Sequence, residues 1–296
     1  MKCFYHSADL DGHCSGAIVK YVKPDCELIG INYGDEFPWD TINQGETVYM
    51  VDFCLQPFSD MIRLEKMCDL IWIDHHKSAI DEAYKVKFLA KEQSLVDGVG
   101  ACELVWKYFS SQMPYSVKLL AEYDVWNHSD PNTIPFQFGI RVCHTIPDDE
   151  GIDFWKDLFF PGRNESLIIS RIVEQGKTIL HYLKQDNEKY ISACGFDTEL
   201  DGLRCIAVNK MLTNSQIFDS VWDEEKYDAM LTFGFRKGKW KYDAMLTFGF
   251  RKGKWTVSLY STKNDIDVSV IAKNRGGGGH KGAAGFQCEE LPFALN

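Results

Sequence analysis

The chain has 296 residues, of which 45% are hydrophobic and 14% aromatic. A composition this apolar can build a sizeable core, so it excludes a disordered protein, and the length predicts about two domains. The 43 acidic and 32 basic residues give a formal net charge of −11. That charge argues against a long, non-specific nucleic-acid footprint, but it is compatible with a small nucleotide held in one pocket.

The sequence lacks the segments that mark a membrane or secreted protein. Its ten cysteines contain no CxxC pair, and strand-like residues begin at Lys2 without a signal segment before them. No uninterrupted apolar run reaches about 18 residues. We therefore expect a reduced, soluble, cytoplasmic protein with no membrane partner, in which the cysteines act as small core side chains.

Carboxylates and a histidine follow the first predicted strand, residues 3–5. His6 ends this strand, and Asp9 and Asp11 are two residues apart in a predicted extended loop before a helix over 13–21. Both carboxylates can then point the same way. Carboxylate and imidazole together suit a divalent cation such as Mn²⁺. The alternative is an Asp-rich turn that only caps the helix.

Four further apolar runs predict strands, at residues 27–31, 47–51, 70–73 and 86–89. Asp52 follows the second of these runs, and the tripeptide Asp74-His75-His76 follows the third. In an α/β sheet, ligands bind at the carboxyl ends of the strands. The alternative for the tripeptide is a capping Asp with two solvated histidines.

Helices are predicted between and after these strands, over residues 57–67, 99–110 and 114–126, the last of which carries Asp124. Alternating strands and helices predict an α/β fold with a mainly parallel sheet flanked by helices. We expect three parts: an N-terminal metal-binding domain over 1–162, a connecting helix over 163–192, and a smaller C-terminal α/β domain over 193–296.

The C-terminal part contains a tandem repeat, because residues 226–240 and 241–255 are identical. Two copies are too few for a solenoid. The alternation of apolar residues predicts a strand in each copy, after a strand over 205–208 and a short helix over 215–222. We expect the second copy to pair with a strand over 255–261 through a tight hairpin. The first copy is then a loose loop or an added edge strand.

A glycine-rich segment follows a predicted helix over residues 267–273. Its glycines allow backbone N–H groups to approach a phosphate closely, and its basic side chains supply charge. The candidate substrate-binding residues are Arg275, Gly277, Gly278, Gly279 and His280. The alternative is a flexible linker.

Together these motifs resemble the DHH phosphoesterase superfamily. The resemblance is carried by His6-x-x-Asp9-x-Asp11-Gly12, the strand-end Asp52, Asp74-His75-His76, and Asp124 within Tyr-Asp-Val-Trp. The segment Gly277-Gly278-Gly279-His280 is similar to the Gly-Gly-Gly-His motif of the DHH-associated C-terminal domain. The tandem repeat is the one departure from this pattern.

The resemblance implies two divalent metal ions and activation of water between two domains that form a cleft. One ion would be held by His6, Asp9 and Asp52. The other would be held by Asp11, Asp52, His75 and Asp124, so that Asp52 bridges. Asp74 would orient a ligand, and His76 would meet the substrate phosphate. Mn²⁺ is favoured by the mixed ligands, with Mg²⁺ or Co²⁺ as alternatives.

Within the superfamily, the chain most resembles the nano-RNase branch of short-oligonucleotide phosphodiesterases. It is too short and too acidic for the RecJ-like exonucleases, and pyrophosphatases of this superfamily lack the glycine-rich motif. We expect an oligoribonuclease-type exonuclease acting on very short RNA, or on pAp or a linear dinucleotide. The alternatives are a cyclic-nucleotide or other phosphoesterase, and a non-catalytic nucleotide-binding regulatory module. A homodimer is left open.

Overall fold

The computed structural model describes residues 1–160, 163–200, 202–210, 213, 215–233, 245–251, 254–260, 267–281 and 283–290. The chain forms two compact units, Met1–Leu180 and His181–Asn296. The boundary between them falls inside one long helix, α8 (Arg163–Cys194). This helix confirms the one predicted from residue 163.

The first unit is built on one parallel sheet. Its strands are β1 (Lys2–His6), β2 (Glu27–Ile31), β3 (Thr47–Val51), β4 (Asp69–Asp74) and β5 (Glu92–Leu95), in the order β2-β1-β3-β4-β5. Its other helices are α1 (Leu10–Val22), α2 (Ser59–Met67), α3 (Lys77–Lys85), α4 (Ala101–Phe109), α5 (Tyr115–Asp124), α6 (Thr133–Ile140) and α7 (Gly151–Phe159). The predicted α/β class is confirmed.

Side chains on the two faces of the sheet build two separate cores. Along β4, Ile71 and Ile73 pack towards α1, α4, α5 and α7, whereas Leu70 and Trp72 pack towards α2 and α3. Successive side chains of a strand point to opposite faces, so an unbroken apolar run is what a strand covered on both faces requires. The first unit therefore has three layers, with the sheet in the middle.

The strand order brings the polar strand ends together. From β1 the chain passes to β2 on one side of it, and β3 then pairs on the other side. The register sets Tyr5 beside Val51, and Val51 beside Ile73. The residues that follow, His6, Asp52 and Asp74, consequently lie at the carboxyl ends of three adjacent strands. This end of the sheet includes a topological switch point, where α/β proteins bind ligands.

Two local predictions are wrong, the strand at residues 86–89 and the extended loop through Asp11. Residues 86–89, predicted as a strand, instead form a turn and a loop after α3, in which Leu89 is 71% exposed. The fifth strand is β5, in which three of the four residues are polar (Glu-Gln-Ser-Leu). It lies at the margin of the sheet, where a strand needs no apolar run, so its sequence carries little strand pattern.

The predicted extended loop through Asp11 is also wrong. Helix α1 begins at Leu10, with Asp9 as its N-cap accepting a hydrogen bond from the Gly12 backbone N–H at 2.9 Å. Asp11 therefore lies in the first helical turn. Asp9 therefore caps the helix, as the alternative interpretation of the sequence predicted, and it also lies beside His6.

The second unit contains two small sheets. One has the order β6-β7-β8, from β6 (Phe196–Leu200), β7 (Leu203–Asn209) and β8 (Ala229–Phe233). The other has the order β11-β12-β10-β9, from β9 (Met245–Arg251), β10 (Lys254–Tyr260), β11 (Gly278–His280) and β12 (Ala283–Cys288). Helix α9 (Val268–Lys273) packs its Val268 and Ala272 against the second sheet, and confirms the helix predicted over 267–273.

The two copies of the repeat lie in different sheets. The second copy forms β9, which pairs antiparallel with β10 from Arg251 opposite Lys254, and this confirms the predicted pairing. The first copy forms β8, an edge strand that pairs parallel with β7. It is therefore the added strand of the two alternatives, although in the other sheet. The turn predicted at residues 236–239 lies outside the described residues.

Two further observations bear on the sequence predictions. Among the described residues, no helix has both the length and the apolar character needed to cross a bilayer. Seven of the ten cysteines are buried and all ten are free, as expected of small core side chains.

The contact between α6 and α8 predicts a specific stability defect. A Cβ at Gly176 would lie 1.7 Å from the Pro135 carbonyl oxygen, so the two backbones approach as closely as glycine allows. We expect Gly176→Ala to destabilise the first unit by about 2 kcal/mol or more, since the helices must separate. Urea unfolding measures this, with Thr178→Ala, on the exposed side of α8, as the control. Equal stability of the two variants would contradict the close contact.

Candidate metal centre

All six predicted ligands, together with His76, meet at the carboxyl end of the first unit's sheet. They fall into groups of three whose ligand atoms lie within 4.8 Å of one another. One group is His6, Asp9 and Asp52; a second is Asp11, His75 and Asp124; and a third is Asp52, His75 and His76. Because Asp52 and His75 each belong to two groups, the three groups form one connected candidate metal centre.

Asp52 is the central residue of this centre. Its side chain is 1% exposed, and among the described residues neither carboxylate oxygen has a hydrogen-bonding partner. Its backbone has a φ of 53°, in the left-handed region that Asp and Asn tolerate better than most residues. A buried carboxylate without a donor is unfavourable, and combined with an uncommon backbone conformation it indicates a functional site.

The first group joins β1 to β3. His6 Nδ1 lies 3.0 Å from Asp9 Oδ2 and 3.7 Å from Asp52 Oδ2. The ring is held against aromatic neighbours, with its centroid 5.8 Å from that of Phe53 and 5.7 Å from that of Tyr33. The three side chains therefore present one nitrogen and two carboxylates towards a common point.

The second group is centred on His75. Its Nε2 lies 3.3 Å from Asp52 Oδ1, 3.4 Å from Asp124 Oδ2 and 3.8 Å from Asp11 Oδ2. Asp11 is also fixed from behind, since its two oxygens accept hydrogen bonds from the backbone N–H groups of Ala101 and Cys102, each at 2.7 Å. These donors are the first turn of α4, whose dipole favours a carboxylate.

Asp74 orients the histidines that follow it. Its Oδ1 accepts hydrogen bonds from the backbone N–H groups of His75 at 2.7 Å and His76 at 3.2 Å. It also lies 2.7 Å from His76 Nδ1. A proton on Nδ1 in this contact leaves Nε2 as the outward-facing nitrogen of His76, whose side chain is 34% exposed.

The density of carboxylates shifts their protonation. Burial raises the pKa of Asp11 to about 7, and the charge of Asp52 adds to that shift. Burial also raises the pKa of Asp124 to about 7, with Asp11 as the next contribution. Contacts with Asp52 and Asp9 raise the pKa of His6 to about 10. Burial opposes a charge on His75, yet the surrounding carboxylates raise its pKa to about 9. Without a cation, the centre retains protons between its carboxylates.

These residues fit a divalent cation. The buried oxygens of Asp52 and the Nδ1 of His6 lack hydrogen-bonding partners in the part of the chain that is described. Oxygen ligands with a minority of imidazoles suit Mn²⁺ and related ions rather than the thiolate-rich sites of structural zinc. A cation would satisfy the unpaired atoms and neutralise the crowded carboxylates.

A brace beneath Asp124 was not predicted from the sequence. Glu122 is buried and accepts hydrogen bonds from Thr133 Oγ1 at 2.7 Å, Ser129 Oγ at 2.8 Å and the Asp130 backbone N–H at 3.1 Å. These contacts fold the chain after α5 back onto the helix that ends at Asp124. They link residues up to eleven positions apart, so no periodic pattern records them.

The glycine-rich segment belongs to the second unit and is partly a strand. A Cβ at Gly277 would lie 2.1 Å from the Gly285 carbonyl oxygen, and one at Gly279 would lie 2.5 Å from Ala284 Cα. These two glycines are needed for pairing with β12. Gly278 has open space around it, and His280 is exposed. Arg275 stacks on Phe286 and donates to the Ile271 carbonyl at 3.3 Å.

Comparisons with known proteins give low similarities. No protein-family model matches the chain. Over 273 residues, 90% of its length, it is 26% identical to the uncharacterized protein R106 of Acanthamoeba polyphaga mimivirus, and the chain covers 57% of that protein. The chain therefore spans little more than half the length of this relative.

Solved structures with some similarity include three of low score. An uncharacterized protein from Helicobacter pylori G27 is 15% identical with a TM-score of 0.40, covering 100% of this chain and 95% of that one. The pGpG-specific phosphodiesterase PggH from Vibrio cholerae is 13% identical with a TM-score of 0.37, and the match covers 97% of this chain and 92% of that one. The DHH domain of a member of a ribosomal protein family is 16% identical with a TM-score of 0.36, and the match covers 96% of this chain and 81% of that one. Scores this low assign neither a family nor an activity.

Replacing the central carboxylate should remove the metal without unfolding the chain. Asn tolerates the left-handed backbone of residue 52 and keeps the shape of Asp, so we expect Asp52→Asn to remain folded. Its affinity for Mn²⁺ should fall by more than about 100-fold, because even residues that only support a ligand contribute about 10–100-fold. Metal analysis after dialysis, with circular dichroism to verify folding, measures both effects.

The matched control for this substitution is Asp81→Asn, on the exposed surface of α3. It makes the same chemical change away from the centre, and we expect wild-type metal content. Two tightly bound ions in Asp52→Asn would show that this carboxylate is not a ligand.

Metal binding should strengthen as pH rises. In the ion-free fold, raised pKa values make Asp11 and Asp124 retain protons up to about pH 7 and His6 up to about pH 10. Their stabilising contribution is lost as pH rises through those values, whereas a cation must displace the same protons. The increase in Tm caused by a fixed Mn²⁺ concentration should therefore be larger at pH 8 than at pH 6. An equal increase at both pH values, or the same increase in Asp52→Asn, would contradict this coupling.

Proposed function

We propose that the chain is a metal-dependent phosphoesterase of the DHH type. The observation that carries this proposal is Asp52, a buried carboxylate without a hydrogen-bonding partner among the described residues, shared by two groups of ligand atoms. A carboxylate shared in this way is suited to joining two cations, which is the arrangement that phosphoester hydrolysis uses. The sequence motifs that resemble the DHH superfamily supply the same residues independently.

In this proposal one ion is held by His6, Asp9 and Asp52, and the other by Asp11, Asp52, His75 and Asp124. When bound, the ions would supply Lewis acidity and lower the pKa of a water molecule. Mn²⁺ is the favoured ion, with Mg²⁺ and Co²⁺ as alternatives. The protein's own part is to hold the carboxylates ionised in one place and to fix the histidine rings.

His76 has the role of contacting the substrate. Asp74 raises its pKa, chiefly through the contact with Nδ1, and so favours the imidazolium. A positively charged ring oriented by a buried carboxylate can donate a charge-assisted hydrogen bond from Nε2 to a phosphate oxygen. Asp74 acts through His76 and positions it, and does not itself meet the substrate.

The substrate class is very short RNA or a small nucleotide such as pAp or a linear dinucleotide. A net charge of −11 provides little basic surface to bind a longer strand. The second unit would bind a substrate phosphate through the glycine-rich segment, where Gly278 leaves room for a ligand and His280 is exposed. Arg275, Gly277 and Gly279 would support that segment.

The second candidate function is a nucleotide-binding regulatory module without catalysis. The exposed, oriented ring of His76 favours catalysis, since binding alone does not need a histidine poised beside two cation sites. The two functions differ in one measurement, which is whether bound nucleotide is converted to product.

The test is hydrolysis by the purified full chain with Mn²⁺. The panel comprises labelled RNA of about two to five nucleotides, a long single strand, pAp, a linear and a cyclic dinucleotide, and pyrophosphate. We expect cleavage of the shortest RNAs or small nucleotides, a steep fall with length, and none in Asp52→Asn. Nucleotide binding without product would favour the regulatory module. Equal rates on the long strand would overturn the short-substrate proposal.

The role of the glycine-rich segment gives a separate prediction. We expect His280→Ala to raise KM by about tenfold or more while leaving Mn²⁺ content unchanged, because a charge-assisted hydrogen bond contributes about 1.5–3 kcal/mol. Steady-state kinetics and metal analysis measure the two quantities. The exposed histidine of α8, His181→Ala, is the control. Loss of metal in His280→Ala would make His280 a ligand instead.

A further inference from the structure

A cavity of about 300 Å³ in the first unit is lined in part by Tyr33, whose ring also packs against His6. Its lining includes Tyr33, Cys54, Gln56, Ser78 and Glu82. Cys54 is two residues after Asp52, Ser78 is two residues after His76, and the Tyr33 ring centroid is 5.7 Å from that of His6. The cavity therefore adjoins the point at which the ligand groups converge.

Tyr33 gives this cavity an aromatic platform. The ring packs on Phe53 with centroids 4.7 Å apart, yet the residue remains 45% exposed. Its position is thus fixed on one side while much of its surface is available to a ligand. Flat nucleobases stack on aromatic rings held in this way, with little dependence on base identity.

The polar lining and the size narrow the class of ligand. Gln56, Ser78 and Glu82 offer donors and acceptors of the kind that ribose hydroxyls and base edges use. A volume near the lower end of the range for ligand pockets, about 300–1,000 Å³, suits one nucleoside better than a longer chain. We propose that this cavity binds the nucleoside attached to the phosphate at the metal centre, with its base against Tyr33. This inference rests on the proposed phosphoesterase function.

The test compares three ligands on the Mn²⁺-loaded protein by calorimetry: AMP, ribose 5-phosphate and inorganic phosphate. We expect Tyr33→Ala to weaken AMP binding about tenfold and to leave the other two unchanged. Tyr33→Phe keeps the ring and should retain AMP affinity. Tyr84→Ala removes another exposed tyrosine, on α3, and serves as the control.

The outcomes separate this inference from the function on which it rests. If the wild type hydrolyses nucleotides but Tyr33→Ala binds AMP normally, the cavity assignment is wrong and the phosphoesterase stands. An equal loss of AMP and ribose 5-phosphate binding would also overturn the stacking role. If the wild type binds none of the three and hydrolyses nothing, the proposed function itself fails. Metal content of Tyr33→Ala is measured alongside, and a loss there would show that the ring supports His6 instead.

A second inference comes from the repeat in the second unit. Backbone N–H and C=O groups of alternate residues point to opposite edges of a strand. The hairpin between β6 and β7 closes at Leu200 opposite Leu203 with two residues between them, so this pair is hydrogen-bonded. The backbone N–H and C=O groups of Leu203, and of every second residue after it, therefore point to β6. Those of Ile206 point to β8. The Arg204 carbonyl, which accepts from the Asp228 N–H at 2.7 Å, agrees with this direction.

The first copy therefore presents a definite edge to β7. Ile206 is in register with Met230 across the parallel pair, and its hydrogen bonds go to the residues that flank Met230. The backbone N–H and C=O groups of Ala229 and Leu231 point to β7. Those of Met230 and Thr232 point to the other edge of β8, which no other described strand pairs with.

The second copy uses the opposite edge. Arg251 and Lys254 close the two-residue hairpin between β9 and β10, so the backbone N–H and C=O groups of Arg251 point to β10. The backbone groups of Thr247 and Met245 point the same way. Met245 and Thr247 correspond to Met230 and Thr232 of the first copy. The edge that β9 uses for β10 is thus the edge that β8 leaves free.

We infer that one copy of the repeat can fill both positions. The two sheets would then become one six-stranded sheet in the order β6-β7-copy-β10-β12-β11. In the present chain, the repeat splits this strand into β8 and β9 and gives each sheet an edge that no other described strand pairs with, which is a site for association with other strands.

Deletion tests this inference directly. Removal of residues 226–240 or 241–255 yields the same 281-residue sequence, since 296 minus 15 is 281. We expect this variant to fold with a higher Tm and with slow amide exchange at every residue of the remaining strand. In the full chain, Met230 and Thr232 should exchange faster than Leu231. Persistence of the alternating exchange after deletion, or loss of the fold of the second unit, would overturn the shared-strand inference.

Discussion

The metal centre depends on one buried carboxylate. Asp52 lies at the end of a strand that is covered on both faces, and its left-handed backbone is fixed by a hydrogen bond from its N–H to the Ile73 carbonyl at 2.9 Å. Its oxygens lack donors among the described residues, so the ion-free centre relies on protons and on nearby imidazolium rings to balance its charge. A divalent cation provides the same balance more completely. The fold therefore keeps in place an unfavourable group that a cation would satisfy in the proposed function.

The surrounding hydrogen bonds show how the fold keeps that centre rigid. Asp74 accepts a hydrogen bond from the His75 backbone N–H and contacts the His76 ring, and the start of α4 holds Asp11 through two backbone donors. Glu122 fixes the loop after Asp124. Of these contacts, the one between Asp11 and α4 joins elements that are distant in sequence, whereas Asp74 and Glu122 contact residues close to them in the chain. Preorganisation of this kind would reduce the cost of binding a cation and a phosphate at the same place in the proposed function.

The second unit follows a different logic. In its glycine-rich segment, Gly277 and Gly279 allow close pairing with β12, whereas Gly278 has open space around it. A glycine-rich motif therefore does not identify a ligand site by composition alone. In the same unit, the repeat shows that identical sequences take different neighbours, because the two edges of a strand are separate hydrogen-bonding surfaces.

The sequence by itself determined the α/β class, the three central strands and the residues at their ends. Buried strands need unbroken apolar runs, and polar residues that end such runs, such as Asp52 and Asp74, stand out against them. It did not determine β5, whose marginal position demands no apolar pattern, or the start of α1, where Asp11 proved to be helical. Only the tertiary structure decided which groups brace the candidate ligands, and that Tyr33 lies beside His6. Those relations are distances between elements far apart in the chain, and local propensity carries no record of them.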